Sequence, residues 1–142
     1  MSRHVYVETS ALLRALLDGD ETLRPVLAGE GLYTSALTLV ETARALSRVR
    51  REARLSAGRL RAVERQVAVF ERACEIVPMD DDVLMRARAS FPREPVRTLD
   101  AIHVATLQLL DEALGGFEVV SCDGRVRENA EALGFVILPA AN

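Results

Sequence analysis

Four acidic residues stand at positions where their carboxylates could act together, namely Glu8, Glu41, Asp100 and Asp123. Two carboxylates 4 Å apart repel by about 4 kcal/mol at an effective dielectric constant near 20, so several held together need a cation or a proton. Oxygen ligands without paired cysteines or clustered histidines suit Mg²⁺ or Mn²⁺ better than Zn²⁺. Such ions activate water and neutralise charge in phosphate chemistry, which makes a metal-dependent phosphodiesterase or phosphatase the leading interpretation.

The elements that must position these acids follow from hydrophobic spacing and capping residues. Short apolar runs predict strands over 4–7, 32–35, 75–79, 117–121 and 135–138. Pro78 is expected to end the third strand or to place it at a sheet edge. Helical spacing predicts helices over 10–18, 20–28, 36–53, 80–90, 98–114 and 125–133, with one more that begins at Ser56, and a loop over 91–96. Strands that alternate with helices favour a parallel sheet with helices on both faces, an α/β/α sandwich.

Sites in such folds lie just beyond the carboxyl ends of the strands. Glu8 ends the first strand and Asp123 opens the turn after the fourth, while Asp100 and Glu41 lie in the first and second turns of their helices. Each acid also has a simpler explanation. Asp100 and Asp123 suit helix N-termini, Glu41 could be an exposed helix acid, and Glu8 an ordinary strand-end acid. The acidic run 80–82 is explained by a helix N-terminus alone.

Length and composition restrict the class of protein. The 142 residues suggest one domain over 1–142, and 49% apolar residues are enough to bury a core. The net charge of −3 argues against bulk nucleic-acid binding, yet residues 44–65 carry eight arginines against two glutamates. Lysine is absent, which excludes a P-loop lysine, a Schiff-base lysine and the lysine of a phospho-receiver site. A dinucleotide-binding glycine fingerprint is absent as well.

The cellular setting is inferred from cysteines and hydropathy. Cys74 and Cys122 are far apart, so reduced thiols in a cytoplasm are expected. Glu8 and Arg14 interrupt the first apolar run, which is unlike a signal peptide. No uncharged stretch approaches the roughly 18 residues of a membrane span, and a cytoplasmic protein with no membrane partner is expected.

A row of arginines follows one of the acids on its helix. Arg44, Arg48 and Arg51 continue from Glu41 at spacings of 3, 4 and 3 residues and therefore share its face. RNA phosphates could lie on this row while the scissile phosphate reaches the acids. The alternative is a solvated helix face on which Arg48 pairs with Glu52.

Four stretches of this sequence resemble PIN-domain ribonucleases, and most of all the VapC-type toxins of toxin–antitoxin pairs. They are VYVETSALLRALL (5–17), TSALTLVETARALSR (34–48), RTLDAIHVATLQLL (97–110) and VVSCDGRVRENAEALGF (119–135). The resemblance implies a PIN-like fold, with a central five-stranded parallel sheet between two layers of helices. It assigns acidic, metal-ligating and catalytic roles to Glu8, Glu41, Asp100 and Asp123. It further implies Mg²⁺- or Mn²⁺-dependent endonucleolytic cleavage of RNA, a homodimer, and inhibition by a cognate VapB-type antitoxin.

One residue departs from the family pattern, since Glu8 stands where the family usually has aspartate. The longer side chain could shift or weaken a tight octahedral site. A non-catalytic RNA- or protein-binding module is therefore the main alternative, and a phosphatase acting on small substrates is the second. Ser10 and Ser121 are candidates to hydrogen-bond a carboxylate, with Ser10 expected chiefly as a helix cap.

Three further features have expected structural roles. His103 lies three residues after Asp100 and could be a catalytic base, but a role in helix packing is the favoured interpretation. Thr98 is predicted to cap the helix that carries both residues. The stripe formed by Leu60, Val63, Val67 and Phe70 is expected to be core or dimer surface.

Overall fold

The computed structural model describes residues 3–140, which form five strands and the helices that connect them. The strands are β1 (His4–Val7), β2 (Leu32–Ser35), β3 (Glu75–Val77), β4 (Phe117–Val120) and β5 (Val136–Leu138). The helices are α1 (Thr9–Leu17), α2 (Arg24–Leu27), α3 (Ala36–Arg51), α4 (Ala57–Ala73), α5 (Asp81–Arg86), α6 (Thr98–Leu114) and α7 (Gly124–Ala132).

The strands form one parallel sheet in the order β3-β2-β1-β4-β5. In the register, Val5 lies opposite Leu32 on one side and Glu118 on the other. A parallel sheet needs crossover connections, and the helices that supply them cover both of its faces. The predicted α/β/α sandwich with five parallel strands is therefore confirmed.

The core divides into two layers because successive side chains of a strand point to opposite faces. Val5 and Val7 pack with Leu12, Leu32 and Phe70 on the face covered by α1, α2 and α4. Tyr6 points to the other face, where its cluster contains Leu107, Phe117, Val119 and Ala130. Among residues 3–140, no helix is long and apolar enough to cross a bilayer.

Helix α4 belongs to the core rather than to the surface. Leu60, Val63 and Val67 pack against Leu46 and Val49 of α3, while Phe70 joins the layer beneath β1. Of the two roles expected for this stripe, the core role is the one observed.

Several element ends differ from the sequence predictions. The third strand ends at Val77 and lies at the edge of the sheet, as expected from Pro78, which cannot donate to the ladder. Helix α3 ends at Arg51 rather than at residue 53, where Ala53 adopts a positive φ of 51°. The predicted helix 20–28 shrinks to Arg24–Leu27, and the predicted helix 80–90 shrinks to Asp81–Arg86. The run 80–82 opens α5 as expected, since the Asp80 carboxylate accepts from the Val83 amide.

The loop before α6 is held against α7 by buried polar contacts. Asn129, fully buried, accepts a hydrogen bond from the Arg93 amide at 2.9 Å and donates to the Arg93 and Arg125 carbonyls. The Glu94 carboxylate accepts from the amides of Phe91 and Val96 within the loop. These contacts fix where the chain enters α6 and therefore where Asp100 stands relative to α7.

Candidate active site

The four acids stand at one edge of the sheet, two of them at strand ends and two within the first two turns of helices. Glu8 follows β1 directly as the N-terminal boundary residue of α1, and Asp123 holds the same position before α7. The Glu8 amide donates to the Val120 carbonyl at 2.9 Å, which ties the ends of β1 and β4 together. Glu41 lies in the second turn of α3, which follows β2, and Asp100 in the first turn of α6. This is the edge at which open α/β sheets bind ligands.

Glu8 is buried, with 4% of its surface exposed, and is held through one oxygen. The Ser121 hydroxyl donates to Glu8 Oε2 at 2.8 Å, and the Ser10 hydroxyl donates to the same oxygen. The two hydroxyls in turn accept from the amides of Asp123 and Cys122. The interpretation of Ser10 as a helix cap is therefore wrong, because Ser10 lies inside α1 and its hydroxyl is committed to Glu8 and Cys122. These bonds compensate the burial of the Glu8 carboxylate.

Glu41 is held in the same manner. Its Oε1 accepts from the Thr9 hydroxyl at 2.7 Å and from His103 Nε2 at 2.7 Å. Burial raises the pKa of Glu41, but the hydrogen bonds from His103 and Thr9 outweigh it, so that its pKa is lowered. Glu41 is therefore fixed as an ionised acceptor.

His103 connects Glu41 to the sheet. It is 1% exposed, and its Nδ1 lies 2.7 Å from the Tyr6 hydroxyl. Burial and the charges of Glu8 and Glu41 raise the pKa of Tyr6 well above its ordinary value, so the phenol keeps its proton. Because the Glu41 carboxylate can only accept, Nε2 must carry a proton, and the Tyr6 hydroxyl can then donate to Nδ1. His103 thus has contacts beyond the helix packing expected for it.

Asp123 and Asp100 differ in how they are held. Asp123 Oδ1 accepts from the amides of Arg125 and Val126, both at 3.0 Å, which is the helix cap expected for it. Asp100 is half-buried and makes no side-chain hydrogen bond with the described residues. Burial and the charges of Asp123, Glu8 and Glu41 raise the pKa of Asp100, although His103 acts in the opposite direction. Asp100 therefore faces other negative charges, and a cation bound among them would reduce their repulsion.

Three of the acids share one pattern of hydrogen bonding. In Glu8, Glu41 and Asp123, both donors reach one carboxylate oxygen, and within residues 3–140 the other oxygen accepts no hydrogen bond. A set of hard oxygen donors fits Mg²⁺ or Mn²⁺. Over the same residues, however, no three histidine, cysteine, aspartate or glutamate side chains are close enough to hold one ion together. Binding an ion at this edge therefore requires side-chain adjustment, for which the untethered Asp100 is the most available.

The arginine row on α3 is exposed. Arg44, Arg48 and Arg51 form no ion pair with other described residues. The alternative prediction that Arg48 pairs with Glu52 is wrong, because Glu52 pairs with Arg54 instead, with 3.5 Å between Glu52 Oε2 and Arg54 Nε. The row is thus open to an anionic ligand.

Sequence reasoning missed Thr9, Tyr6 and the hydrogen bonds of His103. The one local signal was the spacing of three residues between Asp100 and His103, which places both on one side of α6. The prediction that Thr98 caps α6 is wrong, since Arg97 occupies that position without a side-chain cap bond.

Comparison with known proteins identifies the family. The sequence profile of the PIN domain matches residues 5–132. Ribonuclease VapC35 of Mycobacterium tuberculosis (strain CDC 1551 / Oshkosh) is 34% identical over 146 aligned residues, which cover 94% of this chain and 95% of VapC35. Ribonuclease VapC46 of M. tuberculosis (strain ATCC 25618 / H37Rv) is 32% identical over 137 residues, with the same coverage.

Solved structures agree with this assignment at the level of the fold. A toxin–antitoxin complex from Klebsiella pneumoniae aligns with a TM-score of 0.64 at 16% identity, over 97% of this chain and 99% of that chain. The profile spans most of the sequence, and both ribonucleases exceed 30% identity over nearly their whole length. The chain therefore belongs to the PIN-domain family, among its VapC-type ribonuclease toxins.

Proposed function

We propose that this protein is a Mg²⁺- or Mn²⁺-dependent endoribonuclease that hydrolyses RNA phosphodiester bonds as the toxin of a VapBC-type pair. The observation that carries the proposal is the set of four acids at one sheet edge, three of which are tethered through a single oxygen. The ribonuclease relatives give it independent support.

The four acids divide two roles between them in the proposed reaction. Glu8, Asp100 and Asp123 hold the ion, directly or through water, and Glu41 helps to hold it or orients the attacking water. A bound divalent ion would make a coordinated water more acidic and offset charge on the phosphate oxygens. Water attacks the phosphorus in line as it gives up a proton to Glu41, the ester bond to the 3′-oxygen breaks, and the departing 3′-oxygen takes up a proton from solvent. The products are a 5′-phosphate and a 3′-hydroxyl, as the family resemblance implies.

The residues behind the acids keep these roles fixed. Thr9 and His103 hold Glu41 Oε1, so that Oε2 is the oxygen left to accept a proton from water. Ser10 and Ser121 hold Glu8 Oε2 and so orient the free Oε1. Glu8 replaces the usual aspartate, and the two serines give its longer side chain a defined position.

Cleavage should depend on the ion. We expect the protein to cut RNA in Mg²⁺ or Mn²⁺, to lose all cleavage in EDTA, and to recover it when the ion is restored. A chromogenic phosphate monoester should not be turned over, and turnover of the ester alone would instead indicate a small-molecule phosphatase. RNA that is bound but never cut, together with no Mn²⁺ binding by calorimetry, would indicate a non-catalytic module with a site degraded by Glu8.

The partners are proposed on similar grounds. The Klebsiella structure is described as a toxin–antitoxin complex, which supports a VapB-type antitoxin as partner. A homodimer is implied by the family resemblance, and the half-exposed apolar side chains of Val40, Leu84 and Leu99 on α3, α5 and α6 are available to such an interface. A cytoplasmic location would suit an RNA substrate.

The α3 arginines should contribute to RNA binding. Arg44→Ala and Arg48→Ala should each weaken binding. The slope of the logarithm of the affinity against the logarithm of the salt concentration should become shallower by about 0.7 for each phosphate that is no longer neutralised. The measurement is a titration of single-stranded RNA at several salt concentrations. Unaltered binding in both variants would assign this row to a solvated helix face.

A further inference from the structure

A cleft of about 560 Å³ opens beside the acids, between the beginnings of α6 and α7. Its lining includes Arg97 and Asp100 at the start of α6, and Asp123, Gly124 and Arg125 at the start of α7. A Cβ built on Gly124 would meet no atom within 4 Å, so the space over this backbone is open. The hydrogen bonds of Asn129 and Glu94 hold the adjoining loop, and the cleft therefore has a fixed wall.

The two arginines of the cleft have little to neutralise them. Arg97 is exposed, and its side chain makes no ion pair or hydrogen bond with other residues in the range 3–140. Arg125 pairs with Glu128 at 3.2 Å, but both side chains are about half exposed, and such surface pairs contribute about 1 kcal/mol or less. Neither arginine forms an ion pair with Asp100 or Asp123, although all four line the same space.

Arginines and acids that line one cleft indicate a ligand with an anionic group that lies next to the acids rather than on them. A metal ion alone would need only the carboxylates, and cations next to it would weaken its binding. A phosphodiester chain does need cations near the acids, because a phosphate bound at the ion places the next phosphate of the chain several ångströms from it. Arginine suits that second phosphate through its fork of donors.

The sheet order places this cleft opposite the arginine row of α3. Strand β1, which ends just before Glu8, lies between β2 and β4. Helix α3 follows β2 and carries Arg44, Arg48 and Arg51, whereas α7 follows β4 and carries Arg125. An RNA strand that crosses the acids therefore meets cations on both sides.

We propose that Arg97 and Arg125 bind the RNA phosphate adjacent to the scissile one, on the β4 side of the acids. This inference rests on the proposed ribonuclease function and adds a second phosphate subsite to it. Contacts with a non-reacting phosphate are made equally in the ground and transition states. Their removal should therefore raise KM and leave kcat unchanged.

The test compares Arg97→Ala, Arg125→Ala and the double variant with the wild type in Mn²⁺. Each single variant should raise KM for an oligoribonucleotide by about threefold to tenfold, as expected when one ordinary hydrogen bond is removed at a solvent-exposed site. The salt slope should fall by about 0.7 per arginine. Lysine at either position should recover part of the affinity, because it keeps the charge without the fork.

Arg72→Ala is the matched control. Arg72 is an exposed arginine in the last turn of α4, just before β3 begins, and so lies at the opposite edge of the sheet. The Arg72→Ala variant should leave KM and the salt slope unchanged. A dinucleotide that contains only the scissile phosphate is the second control, and on it all of these variants should match the wild type.

The outcomes separate the two proposals. If the wild type cuts RNA and the double variant shows the KM and salt slope of Arg72→Ala, the phosphate subsite is wrong while the ribonuclease function stands. An equal loss on the dinucleotide and the longer RNA would also overturn the subsite, because the arginines would then act at the scissile phosphate. A wild type that neither cuts nor binds RNA in Mn²⁺ overturns both.

Discussion

Replacing Asp100 with asparagine should abolish RNA cleavage and slightly raise the stability of the metal-free protein. Asp100 is the acid without a hydrogen bond to the described residues, so its charge serves no packing role there. If it helps to hold the ion, its loss removes several kcal/mol of transition-state stabilisation, which is a rate loss on the order of a thousandfold or more. Binding of Mn²⁺, measured by calorimetry, should be lost with it.

The stability gain has a definite sign. Burial and the neighbouring carboxylates raise the pKa of Asp100 in the folded state. An acid with a raised folded-state pKa favours the fold at low pH and loses that contribution as the pH rises through the folded value. Asparagine avoids this loss near neutral pH, while at low pH the two side chains are equivalent. Because Asp100 is only half-buried, the gain should be about 1 kcal/mol or less.

Asp81→Asn is the control for this substitution. Asp81 is an exposed acid in the first turn of α5, so the charge change and the position in a helix are matched. It should leave both cleavage and Mn²⁺ binding intact, and it should not raise the melting temperature, since acids stabilise that end of a helix. Unchanged metal-dependent cleavage in Asp100→Asn would remove Asp100 from the site.

Replacing His103 with alanine should lower both stability and activity. His103 is 1% exposed and connects Tyr6 on β1 with Glu41 on α3. Its removal leaves a cavity and takes one of two donors from Glu41, at a cost of about 2–4 kcal/mol in the free energy of unfolding. Thermal and denaturant unfolding measure this loss.

The pH profile of cleavage distinguishes positioning from packing. The His103 hydrogen bond lowers the pKa of Glu41, so its loss should raise that pKa and move the acid limb of the rate profile to higher pH. Tyr6→Phe should give a smaller shift in the same direction, because Nδ1 loses its donor while no large cavity forms. Leu107→Ala, a core substitution 1% exposed in the wild type, should lower stability without any shift. An unmoved acid limb in His103→Ala would reduce His103 to a packing residue.

The architecture was largely predictable because its signals are local. Each strand of a parallel sheet is buried on both faces and reads as a short apolar run, and each helix has its own spacing and terminal residues. The placement of Glu8 and Asp123 at strand ends follows from the same runs. Pro78 ends its strand as its missing amide hydrogen predicts. Helix α3, by contrast, was predicted two residues too long, because Ala53 adopts a positive φ.

The interior of the candidate site was not predictable in the same way. Ser121 reaches Glu8 across 113 residues of sequence, and Tyr6 reaches His103 across 97. No local pattern encodes such contacts, because they exist only once β1, β4 and α6 have packed together. The sequence could nominate the acids, but it could not indicate which of their oxygens would remain available.

The most direct test is anomalous scattering from crystals of the wild type soaked in manganese. If Glu8, Asp100 and Asp123 hold an ion together, a manganese peak should lie within bonding distance of oxygens from these side chains, and it should disappear in Asp100→Asn crystals. A wild-type crystal with no peak among these acids, and with their side chains apart as ordinary surface and cap residues, would contradict the account.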